Sequence, residues 1–218
     1  MEIDLTKIVD PMSAATDLVV TAVCLYAFFR LRRVMGRLPY ERLYLLFFVL
    51  MGLCTLFGAF LSHAFSYAFD EKGFYKLPNW ICNILSVSSY TFAVIGRTDA
   101  VRTLPARRAL TVAAAVETLL ILAATLWKFS FLFAEIHIAV CLLLFSLPLQ
   151  LRLWKDGRRK EVRLILIATA MMALVPFILI AGISFAAWFN YNDISHLVIA
   201  AALFVFYLAG LAWKEPAA

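Results

Sequence analysis

The sequence predicts an all-α integral membrane protein, a single bundle of seven transmembrane helices with the N-terminus outside and the C-terminus in the cytoplasm. Three observations support this prediction. The 218 residues are 64% hydrophobic, a composition typical of polytopic membrane proteins rather than of soluble domains. Seven apolar segments each approach the roughly 20 residues that a helix needs to cross a bilayer. The basic residues also fall unevenly on the two sides of the predicted membrane, which indicates an orientation.

The seven apolar segments occupy most of the chain and leave no room for a separate soluble domain. They cover residues 14–31, 43–67, 80–95, 110–127, 131–151, 164–189 and 194–213. The first segment ends in an Arg-Leu-Arg-Arg run with no small-residue cleavage site, so we expect no removed signal peptide. In the sixth segment, Pro176 lies mid-span, where a membrane helix tolerates proline as a kink.

The distribution of lysine and arginine predicts the topology. Sixteen of the 20 basic residues follow predicted helices one, three, five and seven. The remaining four lie on the other side, and these are Lys7, Lys72, Lys76 and Lys128. Positive charge concentrates on the cytoplasmic side of membrane proteins, so the pattern explains the net charge of +6 without a nucleic-acid partner. We expect a multi-pass protein of a bacterial inner membrane.

All three histidines, His63, His137 and His196, lie inside predicted helices rather than in loops. An ionisable side chain within a membrane is costly and marks a candidate functional site. The predicted topology puts each histidine near the outer end of its helix. Other polar residues of the same layer are Asp17, Glu135, Asn192 and Asp193. The sequence therefore predicts a polar pocket that opens toward the outer face.

Polar residues also recur at helical spacing, which predicts the faces that line this pocket. Helix three carries a stripe formed by Asn79, Asn83, Ser86 and Tyr90. Helix seven carries a second stripe formed by Asn192, His196, Leu203 and Tyr207. Glu135 and His137 are two residues apart, about 200° around a helix, so both cannot face one site. Glu117 lies alone in helix four, where we expect a protonated or hydrogen-bonded acid inside the bundle.

A histidine near the end of helix two, followed by a polar four-residue spacing at the start of helix seven, resembles the CREST superfamily. This group includes alkaline ceramidases, the progestin and adipoQ receptors and Per1-like proteins. The resemblance implies a seven-helix intramembrane zinc hydrolase. One zinc-binding histidine of these proteins comes from helix two, and two come from an H-x-x-x-H motif in helix seven, with a serine and an aspartate nearby.

The resemblance carries over to this sequence at a few positions. His63 matches the helix-two histidine, and His196 matches the second histidine of the helix-seven motif. Asn192 stands where the motif has its first histidine, and Ala59 stands where the serine is expected, with Ser62 the nearest hydroxyl. Asn79 and Asn83 lie near the place of the aspartate. The sequence is therefore that of a divergent member.

The leading hypothesis is a zinc-dependent hydrolase of a lipid amide or ester bond. His63 and His196 would bind the ion, Asp193 or His137 would complete the ligand set, and Asn192 occupies the remaining motif position. An uncoordinated carboxylate, Asp17 or Glu135, would act as the general base. Donors to the developing oxyanion would come from Ser62 or Asn83. The partner of such an enzyme is a lipid or lipid-like substrate in the membrane.

Two other classes of function fit parts of the sequence. A non-catalytic receptor, lipid-binding or accessory protein on the same scaffold agrees with Asn192 and Ala59 at motif positions. A haem or proton-transfer protein would also use histidines on several helices, although no polar chain continues to the cytoplasmic side. A retinal pigment is disfavoured because helix seven contains no lysine before Lys214.

Overall fold

The computed structural model describes residues 7–69, 73–98, 103–186 and 188–213. These residues form helices and no strand, which confirms the predicted all-α class. Lys72, Arg102 and Lys214, which contribute to the predicted charge distribution, lie outside the described residues. Seven long helices follow one another along the chain: α1 Pro11–Leu31, α2 Pro39–Ala64, α3 Leu77–Arg97, α4 Leu104–Lys128, α5 Leu132–Lys155, α6 Arg159–Ala181 and α7 Tyr191–Ala212.

Six of these helices are long and apolar enough to cross a membrane, as expected of a multi-pass membrane protein. The exception among the described helices is α3, which has 21 residues but carries the polar stripe. Its side chains Asn83, Ser86 and Tyr90 are buried, so the stripe faces the interior of the bundle. Of its four residues, Asn79 and Asn83 line the cavity described below, whereas Ser86 and Tyr90 pack inside the bundle. α3 packs against α2, α4 and α5, and its polar side chains therefore avoid lipid.

The bounds of the helices follow local sequence signals. Each of α1 to α4 has proline in its first turn, where the missing N–H costs no hydrogen bond and the fixed φ suits the helix. The predicted sixth helix, 164–189, is too long at its C-terminal end, since α6 stops at Ala181. Gly182 adopts φ 59°, and its N–H closes on carbonyls of the last turn, which terminates the helix. Pro176 lies within α6, as predicted.

Two helices contain a wider, π-helical turn. The last part of α2, Gly58–Ala64, is π-helical and includes His63. The middle of α5, Cys141–Ser146, is π-helical as well and begins four residues after His137. Such turns are rare and concentrate at functional sites. The predicted second helix, 43–67, therefore ends three residues early, because the wide turn and a short 3₁₀ turn at Ser66–Ala68 replace regular α-helix.

The helices close into an incomplete ring. α7 packs between α6 and α1, α1 packs on α2, and α3 joins α2 to α4 and α5. α5 packs against α6 chiefly through its final segment, Leu147–Lys155. We call the end of the bundle that contains His63 and His196 the histidine end, and the opposite end, which contains Arg97, the arginine end. Because α5 and α6 pack mainly near the arginine end, the side of the bundle between them is less tightly closed near the histidine end.

The arginine end is held together by a buried ion pair and aromatic packing. Arg97 of α3 forms a bidentate salt bridge with Glu161 of α6, and its guanidinium lies 4.4 Å from the Trp213 ring centroid. The Tyr44 hydroxyl donates to the carbonyl of Phe206 at 2.6 Å. These contacts connect α2, α3, α6 and α7, so one end of the ring is rigidly closed.

Candidate metal centre

Two imidazoles and one carboxylate meet at the histidine end. Nε2 of His196 lies 3.5 Å from Oδ1 of Asp17, and Nε2 of His63 lies 3.7 Å from Oδ2 of the same carboxylate. The two imidazole centroids are 5.6 Å apart. These three residues come from α1, α2 and α7 and form one of the groups able to hold a metal ion among the described residues. We call this group the Asp17 centre.

The spacing suits an ion bound by all three side chains. Two ligand atoms bound tetrahedrally at about 2.1 Å from one Zn²⁺ lie about 3.4 Å apart. The distances of 3.5 and 3.7 Å from the imidazole nitrogens to Asp17 are close to that value. They are also too long for a good N–H···O hydrogen bond. Two histidines and one carboxylate are a recurrent ligand set for catalytic metals with open coordination positions.

The contact made by Nδ1 of His196 indicates which nitrogen of the ring carries the proton. Its Nδ1 lies 3.0 Å from Oγ1 of Thr16. The single hydroxyl proton of Thr16 is directed at the carbonyl of Met12 or Ser13, at 3.0 and 3.1 Å. Thr16 therefore accepts a hydrogen bond from the Nδ1–H of His196. Nε2 of the neutral ring then presents a lone pair to the carboxylate, an arrangement that a shared cation stabilises.

The chain that precedes α1 supports His63. The N–H groups of Val9 and Asp10 donate to the carbonyls of Ala64 and His63, at 3.2 and 3.1 Å. Carbonyls at the end of a helix lack partners within that helix, so this segment caps α2. The carboxylate of Asp10 also lies 3.6 Å from Nδ1 of His63. Each histidine of the Asp17 centre thus has an acceptor near the nitrogen that faces away from Asp17.

A glycine leaves the space that Asp17 needs. A Cβ atom added at Gly58 would contact Oδ2 of Asp17 and would lie 2.8 Å from Nδ2 of Asn79. Asn79 itself donates to the carbonyl of Cys54 at 3.2 Å. Gly58 is also the first residue of the wide turn that carries His63. The absence of a side chain at this position therefore allows α1, α2 and α3 to approach one another at the centre.

Asp193, expected to complete the ligand set, is not grouped with His63 and His196 in the structure. The Asp193 side chain is fully buried, accepts from the Ser13 hydroxyl at 2.8 Å, and accepts from the N–H of Asn190 at 2.7 Å. Both oxygens are therefore occupied in capping α7 and in joining α7 to α1. Asp17, expected to be a general base, groups with His63 and His196 instead. Nothing in the sequence distinguishes the two aspartates, because the choice depends on how α1 lies against α7.

The expectation that His137 joins the other histidines is also corrected. His137 is fully buried in a second group with Glu117 and Cys141, on α4 and α5. Its Nδ1 lies 2.9 Å from both carboxylate oxygens of Glu117. Its Nε2 lies 3.0 Å from the Ser88 hydroxyl and 3.1 Å from the carbonyl of Ile84. Glu117 is therefore hydrogen-bonded inside the bundle, as predicted, with His137 as the partner.

A cavity of about 480 Å³ opens from the Asp17 centre into the bundle. The remaining sequence-predicted site residues line it, namely Ser62, Asn83, Glu135 and Asn192. Its apolar wall comes from α5, α6 and α7 and includes Ile138, Met172, Val175, Leu179 and Ile199. Because α5 and α6 contribute facing walls and pack together chiefly near the arginine end, the cavity adjoins the loosely closed side of the ring.

Two buried polar atoms on the cavity wall have no hydrogen-bond partner among the described residues. They are Oδ1 of Asn83 and Oγ of Ser195. Asn83 is 9% exposed and Ser195 is 2% exposed. A buried polar atom without a partner costs about 1–3 kcal/mol, so both atoms favour a bound molecule with polar groups. Ser195 was not among the residues predicted for the site, although it directly precedes His196.

The sequence matches the family described as a family of unknown function, DUF6962, over residues 12–215. The chain belongs to this family, which spans all seven helices. Comparisons with curated proteins and with solved structures give no match.

Proposed function

We propose that this protein is a membrane-embedded, metal-dependent hydrolase that cleaves an amide or ester bond of a lipid. One observation carries the proposal: the carboxylate of Asp17 faces Nε2 of both His63 and His196, at 3.7 and 3.5 Å. The three side chains share one corner of a largely apolar cavity. Metal chemistry and an apolar substrate are thereby combined in one site.

We also propose the topology in which this site would work. All seven long helices span the membrane, with the histidine end outside and the arginine end in the cytoplasm. The predominance of lysine and arginine at the arginine end supports this orientation. The polar helix α3 spans within the bundle, where α2, α4 and α5 shield it. A bacterial inner membrane fits this arrangement.

The ligands of the ion are His63, His196 and Asp17, and Zn²⁺ is the ion that the set fits best. When bound, a divalent ion there acidifies a water molecule and polarises the carbonyl of the scissile bond. The set matches the His₂-carboxylate ligands of zinc enzymes, which leave a position open. The resemblance of His63 and His196 to the histidines of CREST hydrolases supports the same reaction class.

Other residues of the cavity have roles that follow from their chemistry. Among the described residues, Glu135 is the one carboxylate of the cavity lining outside the Asp17 centre, so it is the candidate for moving the proton. Ser62 and Asn192 line the cavity and are close in sequence to His63 and His196. Their side chains donate hydrogen bonds to the carbonyl oxygen of the scissile bond. Asn83 binds a polar group of the substrate through its unpartnered oxygen.

The substrate reaches the site from the membrane. Apart from Glu135, the cavity wall formed by α5 and α6 is apolar, and Pro176, Phe177 and Ile180 of α6 are exposed on or beside it. A hydrocarbon chain passing between α5 and α6 therefore stays in a largely apolar environment. Its polar end then arrives at the Asp17 centre.

Metal analysis of the detergent-purified protein tests the proposal. We expect about one zinc per chain, lost on chelation and lost in His63→Ala and Asp17→Asn. His137→Asn is the control, because it removes an imidazole outside the centre and should retain the metal in the folded protein. The release of fatty acid from paired lipid amides and esters, lost in the same variants, tests the activity. A folded protein that never holds metal excludes the hydrolase.

A lipid-binding protein without catalytic metal is the second candidate function. The hydrogen bond between Thr16 and His196 and the nearness of Asp10 to His63 favour it, because both imidazoles have a polar neighbour even without an ion. In that case Asp17 faces the imidazoles without an ion between them. The metal analysis separates the two functions, since only the hydrolase loses activity when the metal is removed.

A further inference from the structure

Lys76 is the one lysine or arginine on the cavity lining that the structure describes. It ends the short turn Phe74–Lys76 that leads into α3. Its side chain is neither buried nor fully exposed, and it lies close enough to His63 for their charges to interact. A cationic group therefore lies beside the Asp17 centre, in a cavity that is otherwise mostly apolar.

The ammonium group of Lys76 lies 5.7 Å from the Tyr75 ring centroid. Among the described residues, no carboxylate lies within ion-pair distance of it, so its charge has no anionic partner there. Among the described residues, the carboxylates of the lining are Glu135 on α5 and Asp17, which lies 3.5 and 3.7 Å from the imidazoles. A charge in a partly dehydrated site is costly unless it is paired, so Lys76 favours an anion in the cavity.

The polar and the apolar residues of the lining lie in different parts of the cavity. Lys76, Asn79 and Trp80 lie where α3 begins, the Asp17 centre lies next to them, and the apolar residues Met172, Val175 and Leu179 lie on α6. A molecule that fills this space has an anionic group at one end and a hydrocarbon chain at the other. Its scissile bond lies between the two, within reach of the metal ligands.

We infer that the cavity takes a single-chain amphiphile whose polar end carries a carboxylate or phosphate, and that Lys76 binds this anionic group. The inference rests on the proposed function for the position of the scissile bond, but the binding preference does not require hydrolysis. Lys76 is thus a specificity-determining residue. Neutral lipids of the same chain length leave its charge unpaired and bind more weakly.

Binding of three probes without a scissile bond tests the inference. Dodecyl phosphate, dodecanoate and dodecanol have the same chain and differ in their polar end, and each displaces a fluorescent fatty acid from the purified full-length protein. We expect at least one anionic probe to bind about tenfold more tightly than dodecanol, as a charge-assisted hydrogen bond allows. The two anionic probes together show whether Lys76 prefers phosphate or carboxylate.

Two variants separate Lys76 from general charge effects. Lys76→Gln should reduce the affinity for the preferred anion about tenfold and leave that for dodecanol unchanged. Lys128→Gln is the matched control, because Lys128 is exposed at the end of α4, lies 4.3 Å from the Trp127 ring centroid and is not on the lining. This variant should bind all three probes like the wild type.

The outcomes distinguish this inference from the proposed function. Dodecanol binding as tightly as both anions, or an equal loss in Lys76→Gln and Lys128→Gln, overturns the role of Lys76. An anion preference that depends on Lys76, in a protein that hydrolyses no lipid, supports the inference and rejects the hydrolase. Hydrolysis without any anion preference supports the hydrolase and rejects the inference. Thermal unfolding of each variant shows that it is folded.

Discussion

Thr16 Oγ1 of α1 lies 3.0 Å from Nδ1 of His196 in α7, on the side of the imidazole opposite Asp17. Thr16 and Asp17 are consecutive residues, so α1 contacts both nitrogens of one histidine ring. A hydrogen bond to the outer nitrogen fixes the tautomer and the orientation of a histidine that binds a metal through the other nitrogen. In the proposed metal site, α1 thus supplies both a ligand and the support of another ligand.

Thr16→Val removes the acceptor for His196 but keeps the shape of the side chain. We expect the affinity for zinc to fall about 10- to 100-fold, the usual cost of losing such a supporting hydrogen bond. Thr16→Ser keeps the hydroxyl and should retain near wild-type affinity. Competition with a chelator of known affinity measures both variants. Equal affinities of the two variants would show that Thr16 only packs.

Gly58→Ala places a methyl group against Asp17 and Asn79. Asp17 is nearly completely buried and cannot move aside freely, so we expect metal binding to be lost or strongly weakened. Gly52→Ala is the control. The Cβ atom added in this variant would lie 3.2 Å from Cβ of Cys24, away from the Asp17 centre. Gly52→Ala should therefore lower stability without lowering zinc content. Metal content and thermal unfolding are measured on both proteins. Full zinc occupancy in Gly58→Ala would contradict the arrangement of Asp17 described above.

Val175→Trp fills the apolar part of the cavity. Val175 lies on α6, among the residues that face the cavity between α5 and α6. We expect the variant to keep its zinc, because no ligand is touched, and to lose binding of long-chain lipids. Leu174→Trp is the matched control, since Leu174 is its neighbour in α6, is 50% exposed and is not on the lining. Binding of a fluorescent fatty acid reports the difference. Similar lipid binding by the two variants would mean that the cavity is not the binding site.

Glu117→Gln weakens the contact that joins α4 to α5. The fully buried His137 then loses a carboxyl partner that lies 2.9 Å away, at a cost of roughly 1–3 kcal/mol in the free energy of unfolding. We expect a lower unfolding temperature and unchanged zinc content, because the Asp17 centre is formed by other helices. Glu135→Gln, which removes a carboxylate from the cavity wall of α5, should leave the unfolding temperature close to that of the wild type. Loss of zinc in Glu117→Gln would instead tie His137 to the metal.

Much of the fold and the outline of the site follow from local patterns. The apolar segments predict the long helices, and the four- and three-residue spacings along α3 predict its buried face. The position of His63 near the end of one helix and of His196 near the start of another predicts that both lie at one end of the bundle. Helix ends were less predictable, because Gly182 stops α6 before a run of residues that is still apolar.

The proposed ligand set could not be chosen from the sequence. Asp193 is three residues from His196 and therefore appears close to it, but its oxygens are taken by Ser13 and by the start of α7. Asp17 is 46 residues before His63 and 179 before His196, and it meets them only because α1 packs between α2 and α7. His137 likewise falls at a similar predicted depth but turns toward Glu117 on the far side of α3.

From the sequence one can predict that the chain forms apolar helices, which of their faces are polar, and which residue types are available for chemistry. These properties depend on hydropathy and helical period, which are local. The tertiary structure alone decided that Asp17 joins His63 and His196, that Thr16 supports the ring, and that His137 belongs to a separate group. These choices depend on distances of a few ångströms between helices distant in the sequence, and only the packing of the whole bundle sets such distances.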